Sequence, residues 1–359
     1  MNIYVISVFQ ERIFNMEQQY DNRQQPRQNA PRTGAKKRRV RYDRIAIALG
    51  IVIVVLVLFF SCSCSCVKCV CSSCNNDEPT ASDTEATTDV SGTESPTGQG
   101  VADTGLAQSQ SAVSMTLTAD DMHKGALAVV NAEHVYTFPM NDTVLVNAAE
   151  KANSSYGVKD PMIQLDETAV TYLNQMLSEF NTLYGNDDIQ LESGYRSKQD
   201  QDTRYSNGSS IFAGGYSDYH TGRSFDLGIT PDDGMDSFYV ASGDYSWISE
   251  NAHKYGFVLR YPEGKIDYTG VNPRSYTFHY AGAPHSQYMY EYDLCLEEYV
   301  ETLKSYPATS PLKIETDAGL WTVFYAELEE SGSTVINIPG CQEYNISGDN
   351  MGGFVVAYR

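Results

Sequence analysis

The chain has 359 residues and carries 25 Lys+Arg against 46 Asp+Glu, a net charge of −21. The imbalance is uneven: the first 74 residues hold 11 basic and 4 acidic side chains, which leaves 14 and 42, a net of −28, for the rest. So acidic a remainder excludes nucleic acid as its partner, because phosphates would be repelled, and the length fits one main domain with a smaller one beside it.

In chain order, residues 1–44 form a polar, basic tail rich in Gln, Asn and Arg, in which Met16 is a second candidate start. Residues 45–67 are uncharged and apolar, long enough to span a bilayer as one helix. Arg32, Lys36, Lys37, Arg38, Arg39, Arg41 and Arg44 precede this run and acidic residues follow it, so the positive-inside rule leaves the N-terminus in the cytoplasm and the C-terminal part outside the cell membrane. A cleaved signal peptide is the competing reading. The length of the run, its distance from Met1 and the lack of an Ala-x-Ala site favour a single-pass anchor.

Residues 68–112 read as a Cys-rich and then acidic low-complexity stalk. Cys62, Cys64, Cys66, Cys69, Cys71 and Cys74 alternate with Ser too tightly for paired zinc knuckles, and suit disulfides between neighbouring chains, giving a disulfide-linked oligomer, or metal capture. Cys295 and Cys341 could bridge or could be two buried thiols.

Beyond the stalk the pattern is α+β. Apolar residues at helical spacing from Ala169 to Leu183, with Asp166 as cap and Gly185 as stop, predict the principal core helix. Ile189–Ser193 and Ser224–Ile229 read as strands bordering a cleft, Ser246–Lys254 as a helix, and Pro284–Leu303 as one further helix. From Leu312 to Arg359 apolar and polar residues alternate between Gly and Pro-Gly turns, which predicts a small β domain over 307–359 behind a main domain over 113–306.

Three blocks carry the chemistry. The first runs Leu191-Glu192-Ser193-Gly194-Tyr195-Arg196-Ser197, with Gln199 and Gln201 after it. The second is Ser217-Asp218-Tyr219-His220-Thr221-Gly222-Arg223-Ser224-Phe225-Asp226. The third is Tyr255-Gly256-Phe257-Val258-Leu259-Arg260-Tyr261-Pro262 with Lys265 and Thr269-Gly270, followed by Arg274-Ser275-Tyr276-Thr277-Phe278-His279-Tyr280-Ala281-Gly282. Together they resemble the VanY-type D-alanyl-D-alanine carboxypeptidases, and the resemblance runs from about His123 to the C-terminus. It implies a VanY/hedgehog-like D,D-peptidase domain, a peptidoglycan peptide ending in D-alanine as ligand, and zinc as the metal.

Carried over residue by residue, the resemblance breaks at the metal. Tyr219 and Thr277 occupy the two zinc-histidine positions, Arg274 occupies the position of the general-base Glu, and only Asp226 is retained. A hydrolytic zinc needs three ligands and an open position for water. Phenol and hydroxyl are poor ligands, and a guanidinium accepts no proton. The residues leave two readings: a degenerate site with no catalytic residue intact and no cofactor, or a shifted zinc site of His220, Asp226 and His279. In the degenerate reading Asp226 hydrogen-bonds Tyr219 or His220. Substrate contacts implied by the resemblance are Arg196, whose fork suits a carboxylate, with Gln201 and Ser217 beside it; the tyrosines 216, 219, 276 and 280 could line the same cleft. His123, His134, His253 and His285 read as surface or satisfied core histidines.

Three functions follow as expectations: a membrane-anchored domain that binds a cell-wall peptide without cutting it, an active zinc D,D-carboxypeptidase with displaced ligands, or a structural stalk or adhesion protein.

Overall fold

The computed structural model describes residues 107–109 and 111–359 apart from 233. The expected tail, membrane anchor and cysteine tract of residues 1–74 lie outside the described residues, and among the described residues no helix is long and apolar enough to cross a membrane.

The core helix Glu167–Tyr184 starts where Asp166 accepts a hydrogen bond from the Ala169 amide at 3.0 Å and stops at Gly185, which takes φ +62°. Its buried stripe of Ala169, Val170, Leu173, Met176, Leu177 and Phe180 packs on a six-stranded sheet. Each large apolar side chain placed there contributes about 1.5–3 kcal/mol. The sheet order is Gly157–Val158, Ile189–Ser193, Ser224–Ile229, Arg274–Tyr280, Phe257–Tyr261, with Ser237–Phe238 also pairing Ser224–Ile229. The two central strands run antiparallel with Thr277 opposite Asp226 and His279 opposite Ser224. With a side-chain period of two, these four residues share one face, and that face is the floor of the site.

Two expectations about the C-terminal third are corrected. The helix expected over Pro284–Leu303 is two helices, His285–Glu291 and Leu296–Leu303. Asp293 takes φ +51° between them, the Leu294 amide donates back to the Met289 carbonyl, and Cys295 starts the second helix with Glu298 returning a bond to its amide at 3.0 Å. Four carboxylates and a cap-forming turn over 291–298 outweigh the continuing apolar spacing.

The strands beyond residue 307 are also no separate appendage. A five-stranded sheet has the order Ala107–Ser109, Cys341–Gly348, Gly353–Tyr358, Gly319–Glu327, Leu312–Thr316, and Val113–Thr118 pairs with Ser333–Ile338. One face buries Trp321, Val323, Tyr325, Val355 and Ala357 against Met289, Leu296, Tyr299, Val300 and Leu303 of the two helices. The other buries Phe324, Phe354 and Val356 against Leu117, Ile336 and Ile338. Both faces being covered accounts for the unbroken apolar run at 354–357. Gly125, at φ +110°, lies so near Ser347 that a Cβ there would overlap its backbone, and Ser347 Oγ accepts from the Leu127 amide at 2.9 Å. Residues before the peptidase sheet and residues after it are thus knitted together across the expected 306/307 boundary. Cys295 and Cys341 are free thiols, the first at a helix start and the second beside the outer-face cluster, and form no bridge.

Candidate functional site

Asp226 sits at the centre of the floor, 6% exposed. Three hydroxyls close on its carboxylate. Tyr219 donates to Oδ1 at 2.7 Å, Thr277 Oγ1 donates to the same oxygen at 2.7 Å, and Ser193 Oγ donates to Oδ2 at 2.6 Å. Tyr219 comes from a short 3-10 turn, Asp218–Thr221, that ends on Gly222 at φ +71°, where a Cβ would strike Leu145. The glycine therefore sets both the turn and the approach of Tyr219 to the strand. Burial, with the Asp226 carboxylate beside it, pushes the Tyr219 phenol far up, against the pull of Arg196 and Arg274, so it stays a donor.

Arg196 lies over the Tyr219 ring, its guanidinium carbon 3.9 Å from the centroid, and donates a long bond of 3.4 Å to Gln201. Arg274 packs against Phe212 and Tyr261 at 5.6 and 5.4 Å from their centroids. Arg196, Phe212, Tyr219 and Arg274, with Arg204, Ser209, Ser210, Ile211, Phe238 and Tyr276, line a small pocket above Asp226. Tyr276 stacks on Phe238 at 4.2 Å to form one apolar wall.

The structure does not bring the two histidines of the shifted zinc site together at Asp226. His220 donates from Nδ1 to the Arg196 carbonyl at 2.6 Å, and its Nε2 accepts from the Gly215 amide at 2.9 Å, so both ring nitrogens are used in holding the loops. Burial lowers its pKa, consistent with a neutral ring that both accepts and donates. His279 is one two-residue step along its strand from Thr277 and points to a different group of residues: Nδ1 faces Asp218 Oδ2 at 2.8 Å and Ser224 Oγ at 2.9 Å, and Nε2 donates to the Ala126 carbonyl at 2.7 Å. Asp218 is also 3.1 Å from Arg260, which pairs with Glu297 at 2.7 Å. Burial alone would raise Asp218, but Arg260 and His279 outweigh it and hold its carboxyl well below the usual range. Among the described residues no group of three or more His, Cys, Asp or Glu is arranged to hold a metal ion.

Nor does zinc fit the inherited position. The donors facing Asp226 there are phenol and hydroxyl groups, all three hydrogen-bonded to the carboxylate a metal would need, and Arg274 brings a fixed positive charge to the pocket wall.

Gln201 and Ser217 lie behind the wall, not in it. Gln201 is buried, donates to Ser210 Oγ and the Phe212 carbonyl at 2.7 Å each, and accepts from Arg196, so it sets the 209–212 loop and steadies the arginine. Ser217 Oγ is buried with no hydrogen-bond partner. Tyr219 and Tyr276 line the pocket as expected; Tyr280 stacks on Tyr172 at 5.6 Å elsewhere. Sequence reasoning missed Ser193 as the third donor, though it stands inside the matched Ser-Gly-Tyr-Arg block. It also missed Arg204, Phe212 and Phe238, which carry no motif signal.

Residues 162–283 match the family described as VanY, D-alanyl-D-alanine carboxypeptidase. A bifunctional D-Ala-D-Ala dipeptidase and D-Ala-D-Ala carboxypeptidase, VanXYC of Enterococcus gallinarum, is 33% identical over 129 residues, which is 32% of this chain and 68% of that protein. The chain belongs to the VanY family. A D-alanyl-D-alanine carboxypeptidase of Enterococcus faecium is 28% identical over 245 residues, covering 67% of this chain and 77% of that one. The crystal structure of the vancomycin-resistance D,D-dipeptidase VanXYg, solved with a D-Ala-D-Ala phosphinate analogue, superposes with a TM-score of 0.60 at 26% identity, over 69% of this chain and 99% of that one. Family membership fixes the mixed helix-and-strand peptidase fold, which matches the central sheet and core helix described above.

Proposed function

We propose that this chain binds D-alanine-terminated peptidoglycan stem peptides in the pocket above Asp226 and does not hydrolyse them by the zinc route. The observation that carries the reading is the closure of the Asp226 carboxylate by Ser193, Tyr219 and Thr277, with the Arg196 guanidinium laid over Tyr219. Three hydroxyls occupy what a metal would need, while a fork suited to a peptide carboxylate is kept. A structural stalk has no use for such a fork. The apolar run at 45–67, with its basic flank, supports anchoring of the domain outside the cell membrane.

The test uses the full chain. It should contain well under one zinc per chain by elemental analysis, release no D-alanine from a pentapeptide stem, and bind that peptide by calorimetry, with Arg196→Ala weakening binding by about 1.5–3 kcal/mol. Stoichiometric zinc with D-alanine release would overturn the reading. So would equal binding by wild type and Arg196→Ala.

A further inference from the structure

The strand Leu312–Thr316 stands at one end of the five-stranded sheet, paired on one side with Gly319–Glu327. The two are joined by a tight turn through Asp317 and Ala318, with Thr316 opposite Gly319. Backbone groups along a strand alternate between its two sides, and two hydrogen bonds fix which residues of Gly319–Glu327 face which neighbour. The Leu328 amide donates to the Gly352 carbonyl at 2.9 Å, so even-numbered residues face Gly353–Tyr358. The Tyr325 amide donates to the Tyr306 carbonyl at 2.8 Å, so odd-numbered residues face the opposite side, where Leu312–Thr316 lies. By register, Gly319 with Thr316, Trp321 with Ile314 and Val323 with Leu312 are therefore the hydrogen-bonded pairs. The N–H and C=O groups of Lys313 and Glu315 then point outward, and among the described residues none bonds to them at that edge.

These two edge residues carry opposite charge. Both are exposed and, two apart, lie on one face, while Ile314 between them is 3% exposed in the core beneath. Lys313 Nζ donates to Thr322 Oγ1 at 2.6 Å, which holds its side chain over the sheet. A positive, apolar, negative run of this kind is self-complementary about a two-fold axis at Ile314. A second copy of the strand laid antiparallel puts its Glu315 opposite Lys313 and its Lys313 opposite Glu315. Both positions become hydrogen-bonded pairs in that register, because theirs are the outward backbone groups. A slip of two residues one way sets Lys313 on Lys313 and brings Pro311, which has no N–H, opposite Glu315; the other way sets Glu315 on Glu315. A lysine or a proline on an edge strand ordinarily blocks pairing. Here Pro311 bounds the stretch and Glu315 answers Lys313.

We propose that Leu312–Thr316 is a two-fold homodimer contact, made by antiparallel pairing with the same strand of a second copy and joining the two sheets edge to edge. It goes beyond the peptide-binding reading and does not depend on it, since none of these residues lines the pocket above Asp226. The contact is short, so the dimer is a weak one governed by chain concentration.

Sedimentation velocity on the full chain, in mild detergent with its cysteines reduced, decides this over a concentration series reaching about 1 mM. The wild type should show a reversible equilibrium of monomer and dimer. Lys313→Glu and Glu315→Lys each set like charges face to face at both ends of the contact, and each should weaken dimerisation roughly tenfold. An equal mixture of the two variants should dimerise again, as heterodimers in which every charge meets its opposite. That recovery also shows that each variant has folded. A wild type that stays monomeric overturns the proposal, whether the edge then remains bare or takes a strand from another protein. Association that neither substitution weakens places the interface elsewhere, in the apolar run or the cysteine tract, and overturns it as well. So does a mixture that associates no better than either variant alone.

Discussion

Tyr219 and Asp226 stand seven residues apart in sequence and meet at 2.7 Å, the phenol donating to the carboxylate. In a zinc peptidase of this family a histidine and an aspartate at these positions are joined through the metal. Here a direct hydrogen bond holds them, with Thr277 and Ser193 completing the set.

The substitution is therefore reversible on paper. Restoring Tyr219→His, Thr277→His and Arg274→Glu together should create a zinc site, since it supplies the ligands and the base around a retained Asp226. Each single change should take up little metal, because an incomplete ligand set cannot hold the ion. Elemental analysis of the folded triple variant checks this, and a triple variant that stays metal-free would refute the register of both motifs.

The hydroxyl cage should also carry stability. Tyr219→Phe keeps the ring beneath Arg196 and removes one donor to a buried carboxylate, so it should cost about 1.5–3 kcal/mol in urea unfolding. Thr277→Val removes the second donor to the same oxygen and should couple to it in a double-mutant cycle. Strict additivity would mean the two bonds act separately.

His285 predicts a pH dependence. Its ring is buried, Nδ1 accepting from Tyr299 at 2.7 Å and Nε2 facing Asn345 at 3.2 Å, and burial pushes its pKa down to about 4, against the help of Asn345. Unfolded, the same histidine takes its proton near 6.5. Between these values the unfolded chain binds more protons, so stability is full above pH 6.5 and falls by about 3 kcal/mol as the pH drops to about 4. Asp218 adds a further loss at lower pH, because its carboxyl is held below the usual range and its contribution is lost as the pH falls through that depressed value. His285→Gln should flatten the first segment of the stability curve and leave the second. An unchanged slope between pH 6.5 and 4 would rule His285 out as its source.

Asp293 sits at φ +51° with its side chain 92% exposed, and its nearest cation, Lys265, is 4.0 Å away. A left-handed conformation strains a residue with a Cβ, and an exposed ion pair at that distance contributes little. Asp293→Gly should raise the melting temperature slightly, by the equivalent of about 0.5–1 kcal/mol. A fall in stability would show that the Lys265 contact matters more than the strain.

The sequence revealed most where local and tertiary demands agree. Asp166 and Gly185 bracket a helix whose buried stripe is written at helical spacing, and the two site strands coincide residue for residue with Ile189–Ser193 and Ser224–Ile229. The resemblance in the three blocks identified the family because those residues build turns as well as chemistry: Gly222 is needed by the chain direction at Tyr219 whatever the metal. Less legible were contacts that depend on distance in space. Ser193 reads as an ordinary motif serine until the sheet brings it against Asp226, and His279 reads as a candidate ligand until Asp218 and Ala126 are seen to hold both its nitrogens. The helix break at Asp293 was hidden because apolar spacing continues through it. The tyrosine at 280 shares its residue type with the pocket tyrosines but faces the core helix.

The last strand, Gly353–Tyr358, is the middle one of its five-stranded sheet. A ribosome makes it after every other strand of that sheet, so the strands at 312–316 and 319–327 emerge with one edge open, and the segments 107–109 and 113–118 wait for partners more than 200 residues later. Until residue 358 has been added, Phe324 and Trp321 have no closed layer to enter. Co-translational folding of this body should therefore finish in a single late step, and a nascent chain stalled short of the final strand should be the form that chaperones and proteases recognise.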